Sequence, residues 1–390
     1  MAEIKTYDDV ADRVERVAEI VEREAQANHD AATILPPTLD AFRDSGILAA
    51  TVPREHGGWG FGVHNGRPRD YWQIVRRIAR ADTSVGQSLQ VHCNTVDFTC
   101  ALGTKAQIAA LSRRAVGGAI TGAWGATRPG LDFGSVAPKG DGFVVNTKKA
   151  YATNAGFADM AMVMVAMDEA AGRGPGIQCV LVDCDQPGIQ IDHEWWNASL
   201  AMRATASHKV IIEDVAVGPD ALLGDVNGYL TEHLQIRSLS AFASNFLGTL
   251  EALTELARDY ATRTKALDEA RIIRRMAALY RSIIALEGIM NKVAQAWDDG
   301  DREVLLLSNL YRWAAGEALV DALDHVSVIT GSSTLFGDNP VGRRLMDALM
   351  YVRHENNDRL ETTVGRGFLG LDADFNFSGL RVADGFAGTG

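Results

Sequence analysis

Near the carboxyl-terminal end, the run NPVGRRLMDALMYVRHENND sets His354 beside Glu355 on a stretch of helical spacing. A carboxylate in a dry pocket holds its proton more tightly, which suits removal of a weakly acidic proton such as one α to a carbonyl. Histidine handles protons near neutral pH, and a second candidate, His92, lies in SLQVHCNT. The plain structural reading of each is a solvated helix glutamate, an exposed helix histidine and a packing histidine. Hydroxyl- and glycine-bearing turns form another set. These are AWGATRPGLDFGS (Trp124, Ala126, Thr127, Ser135), AYATN (Tyr151, Thr153), MRATASHK (Arg203, Ser207) and ITGSSTLFG (Gly331, Ser332). Glycine allows close backbone approach to a phosphate and hydroxyls bond to it. In strands, Thr and Tyr also simply reflect β propensity.

Three zones must position these residues. From Tyr7 to about Ala115 the apolar spacing is helical, with Val10, Val14, Val17 and Val21 in step. A second helix opens at Pro36 and stops at Gly46, and two more cover about 70–82 and 84–101. From Ala119 to about Gly224 the period becomes two, in GFVVNTKK, MAMVMVAM, IQCVLVD, GIQI and HKVIIEDVAV, which predicts a small barrel or sandwich. Four long helices follow, Leu239–Arg263, Glu269–Asp298, Arg302–Ile329 and Val341–Gly365, as in a four-helix bundle. The expected fold is therefore α+β. Its three domains are a helical one at 1–118, a central β-barrel at 119–226, and a four-helix bundle with an irregular tail at 227–390.

Composition removes several classes. The 390 residues carry a formal net charge of -12 without a basic block, so no nucleic-acid footprint exists. Cys93, Cys100, Cys179 and Cys184 form no CxxC pair and no His cluster has metal-ligand spacing, so no metal site is expected. No apolar leader or membrane-length stretch is present, and the expectation is a soluble, cytoplasmic protein.

The order of zones and the fragments TRPG, AYATN and IEDV resemble the acyl-CoA dehydrogenase superfamily over roughly residues 8 to 370. The resemblance implies a flavoprotein binding FAD. Trp124, Ala126, Thr127, Tyr151 and Thr153 would contact the flavin, as would Gly331 and Ser332 from a neighbouring subunit. Ser135, Arg203 and Ser207 would face the substrate. Counted from Pro340, Glu355 falls at the family's catalytic-base position. This implies α,β-dehydrogenation of an acyl-CoA thioester, with Glu355 taking the α-proton and hydride passing to flavin N5. A homotetramer and an electron-transfer flavoprotein partner follow from the same resemblance.

Departures from the family pattern imply an alternative. The adenine-side Arg-x-x-Phe-Gly element is replaced by YATRTKALDEARI, the Gly-Gly-x-Gly loop by ITGSSTLFG, and an Asp-Thr-Arg-Gly segment by ASHK. With His92, His354 and the ending GRGFLG, these resemble the two-component flavin monooxygenases of the same fold. Members of that branch take reduced FMN or FAD from a flavin reductase and oxidise a small organic substrate with oxygen. There His92 and His354 would sit in the site. A purely helical scaffold would have no use for the β domain's turn.

Overall fold

A computed structural model describes residues 4–126, 133–336 and 339–375. The amino-terminal zone holds α1 (Ala11–Ala31), α2 (Pro36–Ser45), α3 (Pro68–Ala81), α4 (Thr83–Leu102) and α5 (Lys105–Val116). Helix α2 starts with Pro36 in its first turn and ends at Gly46, whose φ of 73° gives the left-handed stop that glycine tolerates. Asp82 caps α4 by accepting from the Val85 amide at 3.0 Å. Helix α4 is buried almost throughout, which explains why its sequence shows little amphipathic contrast.

The middle zone holds β1 (Thr121–Trp124), β2 (Ser135–Lys139), β3 (Gly142–Ala152), β4 (Met160–Met167), β5 (Ile177–Asp183), β6 (Ile189–Asp192), the short α6 (His193–Asn197), β7 (His208–Val217) and β8 (Leu222–Leu223). The strand order is β6-β7-β3-β2-β4-β5-β8, with β1 added parallel to β4. Among the described residues this path has two ends and does not close, so the expected barrel is an open sheet. The reason lies at the edges, β6 and β8: each has four residues or fewer and pairs on one side only. One face buries Val136, Val145, Val163, Val165, Val180 and Ile212 in a core of its own.

Helices return in α7 (Gly228–Thr231), α8 (Leu234–Arg263), α9 (Ala270–Asp299), α10 (Val304–Thr330), α11 (Pro340–Tyr351) and α12 (Asn357–Phe368). Helix α8 packs on α10 and, across the molecule, on α3. One apolar core therefore joins the two helical zones, with Trp72 and Tyr311 rings 6.5 Å apart. The single helix expected over 341–365 is in fact broken. After Tyr351 a 3-10 turn spans Val352–His354, and Glu355 is extended at φ -122° and ψ 156°. The Asn356 side chain then accepts from the Arg359 amide at 3.2 Å to restart the helix. An Asn at this point competes with helix continuation by offering a cap, which outweighed the amphipathic spacing. No described helix is long and apolar enough to cross a membrane.

Candidate active site

The break between α11 and α12 places His354 and Glu355 outside regular helix, where their side chains are free of the i,i+4 rows. The His354 ring stacks on Phe242 of α8 at 4.6 Å, and Tyr351 stands edge-on to both at 6.1 Å. His354 Nδ1 lies 3.8 Å from Glu355 Oε1. Protein surrounds the imidazole, yet 42% of its side chain is accessible, so it lines an opening rather than a sealed core. Burial, and then the Arg312 guanidinium, push its pKa down to about 4, an effect that solvent at the opening moderates. The Glu355 side chain is 18% accessible. Burial raises its pKa, while Arg312, Arg359 and a hydrogen bond from Gln235 oppose the rise.

On the other side of α4, the β domain supplies a chain of hydroxyls. Thr205 Oγ1 is 2.8 Å from Ser207 Oγ, which is 3.0 Å from Thr153 Oγ1. Trp124 is fully buried and its indole N–H donates to the Thr153 carbonyl at 3.1 Å. Ala126 is exposed at the end of β1, and its carbonyl accepts from the Ala150 amide at 3.2 Å. Tyr151 sits at φ 54°, a conformation unusual for an aromatic residue, next to an irregularity in the β3–β7 pairing. It is 46% exposed, its ring edge-on to Trp195 at 5.1 Å.

One turn of α4 links these two groups. The Ser88 carbonyl accepts from Asn154 Nδ2 at 3.0 Å, while Gln87, its neighbour, accepts from the Tyr351 hydroxyl. A second tie runs from the Met202 amide to Asp347 of α11, and the Thr205 hydroxyl donates to the Met202 carbonyl at 2.7 Å. Thr153, Ser207 and Tyr351 are thereby held to a common frame.

The remaining expected residues fall elsewhere. His92 is fully buried. Its Nδ1 accepts from the Thr121 amide at 3.1 Å, so Nε2 carries the proton given to the Leu48 carbonyl at 2.8 Å. Both ring nitrogens are occupied by backbone, and the ring faces β1 and Leu48 while Gln87 and Gln90 of the same helix face Tyr351. Arg203 gives its donors to the backbone carbonyls of His29, Asp30, Asn197 and Ser199. With its guanidinium bonded to four carbonyls, it clamps α1 to the β domain. Ser135 opens β2, half-buried. Gly331 ends α10 at φ 69° and Ser332 follows it on the surface, apart from both groups. Thr127 lies outside the described residues.

Sequence reasoning missed Phe242, Phe246, Tyr351 and, above all, Arg312 of α10. Arg312 is fully buried, and its Nε, Nη1 and Nη2 have no hydrogen-bond partner among the described residues. Its guanidinium carbon stands 4.2 Å over the Phe246 ring, which meets Tyr351 edge-on at 4.8 Å. The signal was present in SNLYRWAAGEA, a lone cation inside an apolar helical run.

A flavin would fit this frame. Hydroxyl donors at Thr153 and Ser207, the buried Asn154 Oδ1 that has no partner among the described residues, the exposed Tyr151 ring and the half-buried Trp195 ring match a planar, hydrogen-bonding ligand.

Comparison with known proteins agrees with the geometry. Dibenzothiophene monooxygenase (TdsC) from Paenibacillus sp. A11-2 superposes with a TM-score of 0.83 at 20% identity, covering 94% of this chain and 98% of that one. A further structure of that protein is its complex with FMN and indole. Butyryl-CoA dehydrogenase from Megasphaera elsdenii gives a TM-score of 0.81 at 18% identity, covering 95% and 99%. In sequence, isovaleryl-CoA dehydrogenase from Pongo abelii is 26% identical over 85% of this chain and 79% of its own length. Dibenzothiophene monooxygenase from Mycolicibacterium goodii is 26% identical over 75% and 77%. The acyl-CoA dehydrogenase N-terminal domain matches residues 6–119 and the middle domain residues 128–215. A helical domain, a β domain and a helical domain in this order, with matches across the first two, make this chain a member of the acyl-CoA dehydrogenase superfamily.

Proposed function

We propose that the chain is a flavin-dependent oxidoreductase that abstracts the α-proton of an acyl-CoA thioester with Glu355. The observation carrying this reading is a carboxylate at a helix break, buried enough that its pKa rises, beside a histidine that lines the opening. A base whose pKa is raised towards the working pH captures a weakly acidic C–H proton better than an ordinary surface glutamate. Bound flavin, FAD by resemblance, would supply the acceptor for the β-hydride. The chain's part is to hold it between the Thr153–Ser207 hydroxyls and the aromatic wall of Tyr151 and Trp195, and to keep water from the base. His354, neutral and stacked on Phe242, orients the substrate and fixes Glu355 from one side. A homotetramer passing electrons to an electron-transfer flavoprotein belongs to the same proposal. Anaerobic mixing of flavin-loaded protein with a panel of acyl-CoAs tests it: the flavin's visible band should bleach with at least one of them, and Glu355→Gln should abolish the bleaching. Retained bleaching in that variant sinks the assignment.

One observation favours a second reading, a two-component monooxygenase. Of the pair, His354 is the more accessible, which makes it the residue nearer to a small organic substrate. Supplying reduced FMN from a reductase, with oxygen and aromatic sulfur or nitrogen heterocycles, would give an oxygenated product that His354→Asn loses and Glu355→Gln retains.

A further inference from the structure

We propose that Arg312 is a positioning residue of this site, the fixed buried cation that keeps Glu355 ionised and His354 neutral. The inference rests on the reading that the His354–Glu355 pair faces the substrate, and it goes further by naming what sets the protonation of that pair.

The case begins with cost. A guanidinium removed from water without hydrogen bonds is strongly unfavourable, and five N–H donors cannot be satisfied by one aromatic face. Arg312 is nevertheless wholly inaccessible; among the described residues its three nitrogens have no hydrogen-bond partner, and the Phe246 ring lies beneath it. Cation–π contact offsets only part of that desolvation. A nearby anion is the remaining way to make such burial tolerable.

The backbone brings the start of α12 close to this cation. Gly316 lies one turn after Arg312, in the interior of α10. A Cβ there would stand 2.9 Å from both amide atoms of Asn357 and 3.1 Å from Arg312 Nη1. The guanidinium and the first residue of α12 thus converge on one point that any other side chain at 316 would fill. Asn357 also donates to Glu317 of α10 at 3.2 Å, which ties the restart of the helix to the Arg312 helix. Glu355 is two residues before Asn357, and its charge is the first to favour the ionised form of Arg312.

The charged and titratable groups facing this cation are few. From the α11–α12 break come Glu355 and His354, with Arg359 beyond them on α12, and from α11 comes the Tyr351 phenol. Two carboxylates stand near among the described residues, Glu355 and the exposed Glu317, and of the two only Glu355 acts on the Arg312 charge. It favours the charged form of Arg312, and Arg312 in turn opposes proton uptake by both Glu355 and His354. A purely structural Arg312, filling space over Phe246, would leave the titration of His354 unchanged when replaced by a side chain of equal length.

The test is an NMR titration of histidines labelled at Cε1, with the His354 signal identified by its loss in His354→Asn. In the wild type the His354 midpoint should fall well below the ordinary 6.5. Arg312→Met should raise it by about one pH unit or more, and Arg312→Lys, which keeps the charge, should hold it within about half a unit. In parallel, the acid limb of the acyl-CoA reaction should move to higher pH in Arg312→Met with KM little changed. A wild-type midpoint at or above 6.5, an unmoved midpoint in Arg312→Met, or an equal rise in Arg312→Lys overturns the proposal. Should Arg312→Met fail to fold, Arg312→Gln makes the same measurement with a polar side chain. If His354 responds as expected while Glu355→Gln keeps full acyl-CoA reactivity, the proposed function falls and the role of Arg312 in protonation stands.

Discussion

His92 and His354 offer the clearest contrast in the molecule. Both have pKa values pushed down to about 4, and burial is the leading cause in each. His92 is sealed inside α4 with a backbone partner on each nitrogen, while His354 is 42% accessible, stacked on Phe242, and next to a carboxylate and an unpaired guanidinium. The same contrast separates the regions around them. On the β-domain side Thr153, Ser207, Thr205 and Arg203 bond to neighbours, while Asn154 Oδ1 has no partner among the described residues. At the α11–α12 break, polar groups stay open. A perturbed titratable group is therefore a poor guide by itself; unsatisfied capacity beside an opening points more directly to a candidate site.

The largest expected effect tests the open side. Glu355→Gln should lower acyl-CoA-dependent flavin reduction by roughly 10²–10⁴-fold in stopped-flow traces, with flavin affinity retained. Its pH profile sharpens the point. Because the Glu355 pKa is raised, the wild-type rate should fall on the acid side at a pH above the usual carboxylate range, and a fall confined to that usual range would count against a buried base.

Next comes the closed side. The folded-state pKa of His92 is lowered, so below 6.5 the unfolded chain takes up a proton that the folded chain refuses. Its contribution is complete above 6.5 and is lost as pH falls towards 4, at about 1.4 kcal/mol per pH unit. Urea denaturation at neutral and acid pH should show this slope shrinking in His92→Gln while acyl-CoA reactivity persists. Loss of reactivity in a folded His92→Gln would erase the contrast between the two histidines.

Gly316→Ala should destabilise the fold by roughly 1–3 kcal/mol, because the added methyl meets Asn357 and Arg312. A thermal melt unchanged from wild type would show that α12 can withdraw from α10 freely. The smallest effect expected is for Thr153→Val, which breaks the hydroxyl chain at one link and should cost about 1 kcal/mol of stability. Flavin affinity measured by fluorescence in that variant reports separately on whether the chain also serves the cofactor.

Much of this was legible in the chain. Helical periodicity at Val14, Val17 and Val21, alternation in MAMVMVAM and HKVIIEDVAV, and the stop at Gly46 are local signals, and each element formed where its pattern stood. The register from Pro340 to Glu355 also depends only on sequence. The open ends of the sheet, the break after Tyr351, the backbone partners that occupy His92 and Arg203, and the burial of Arg312 were decided by tertiary structure. The physical reason is that a side chain's type states how many bonds it can make, whereas only the surrounding fold determines how many are already taken.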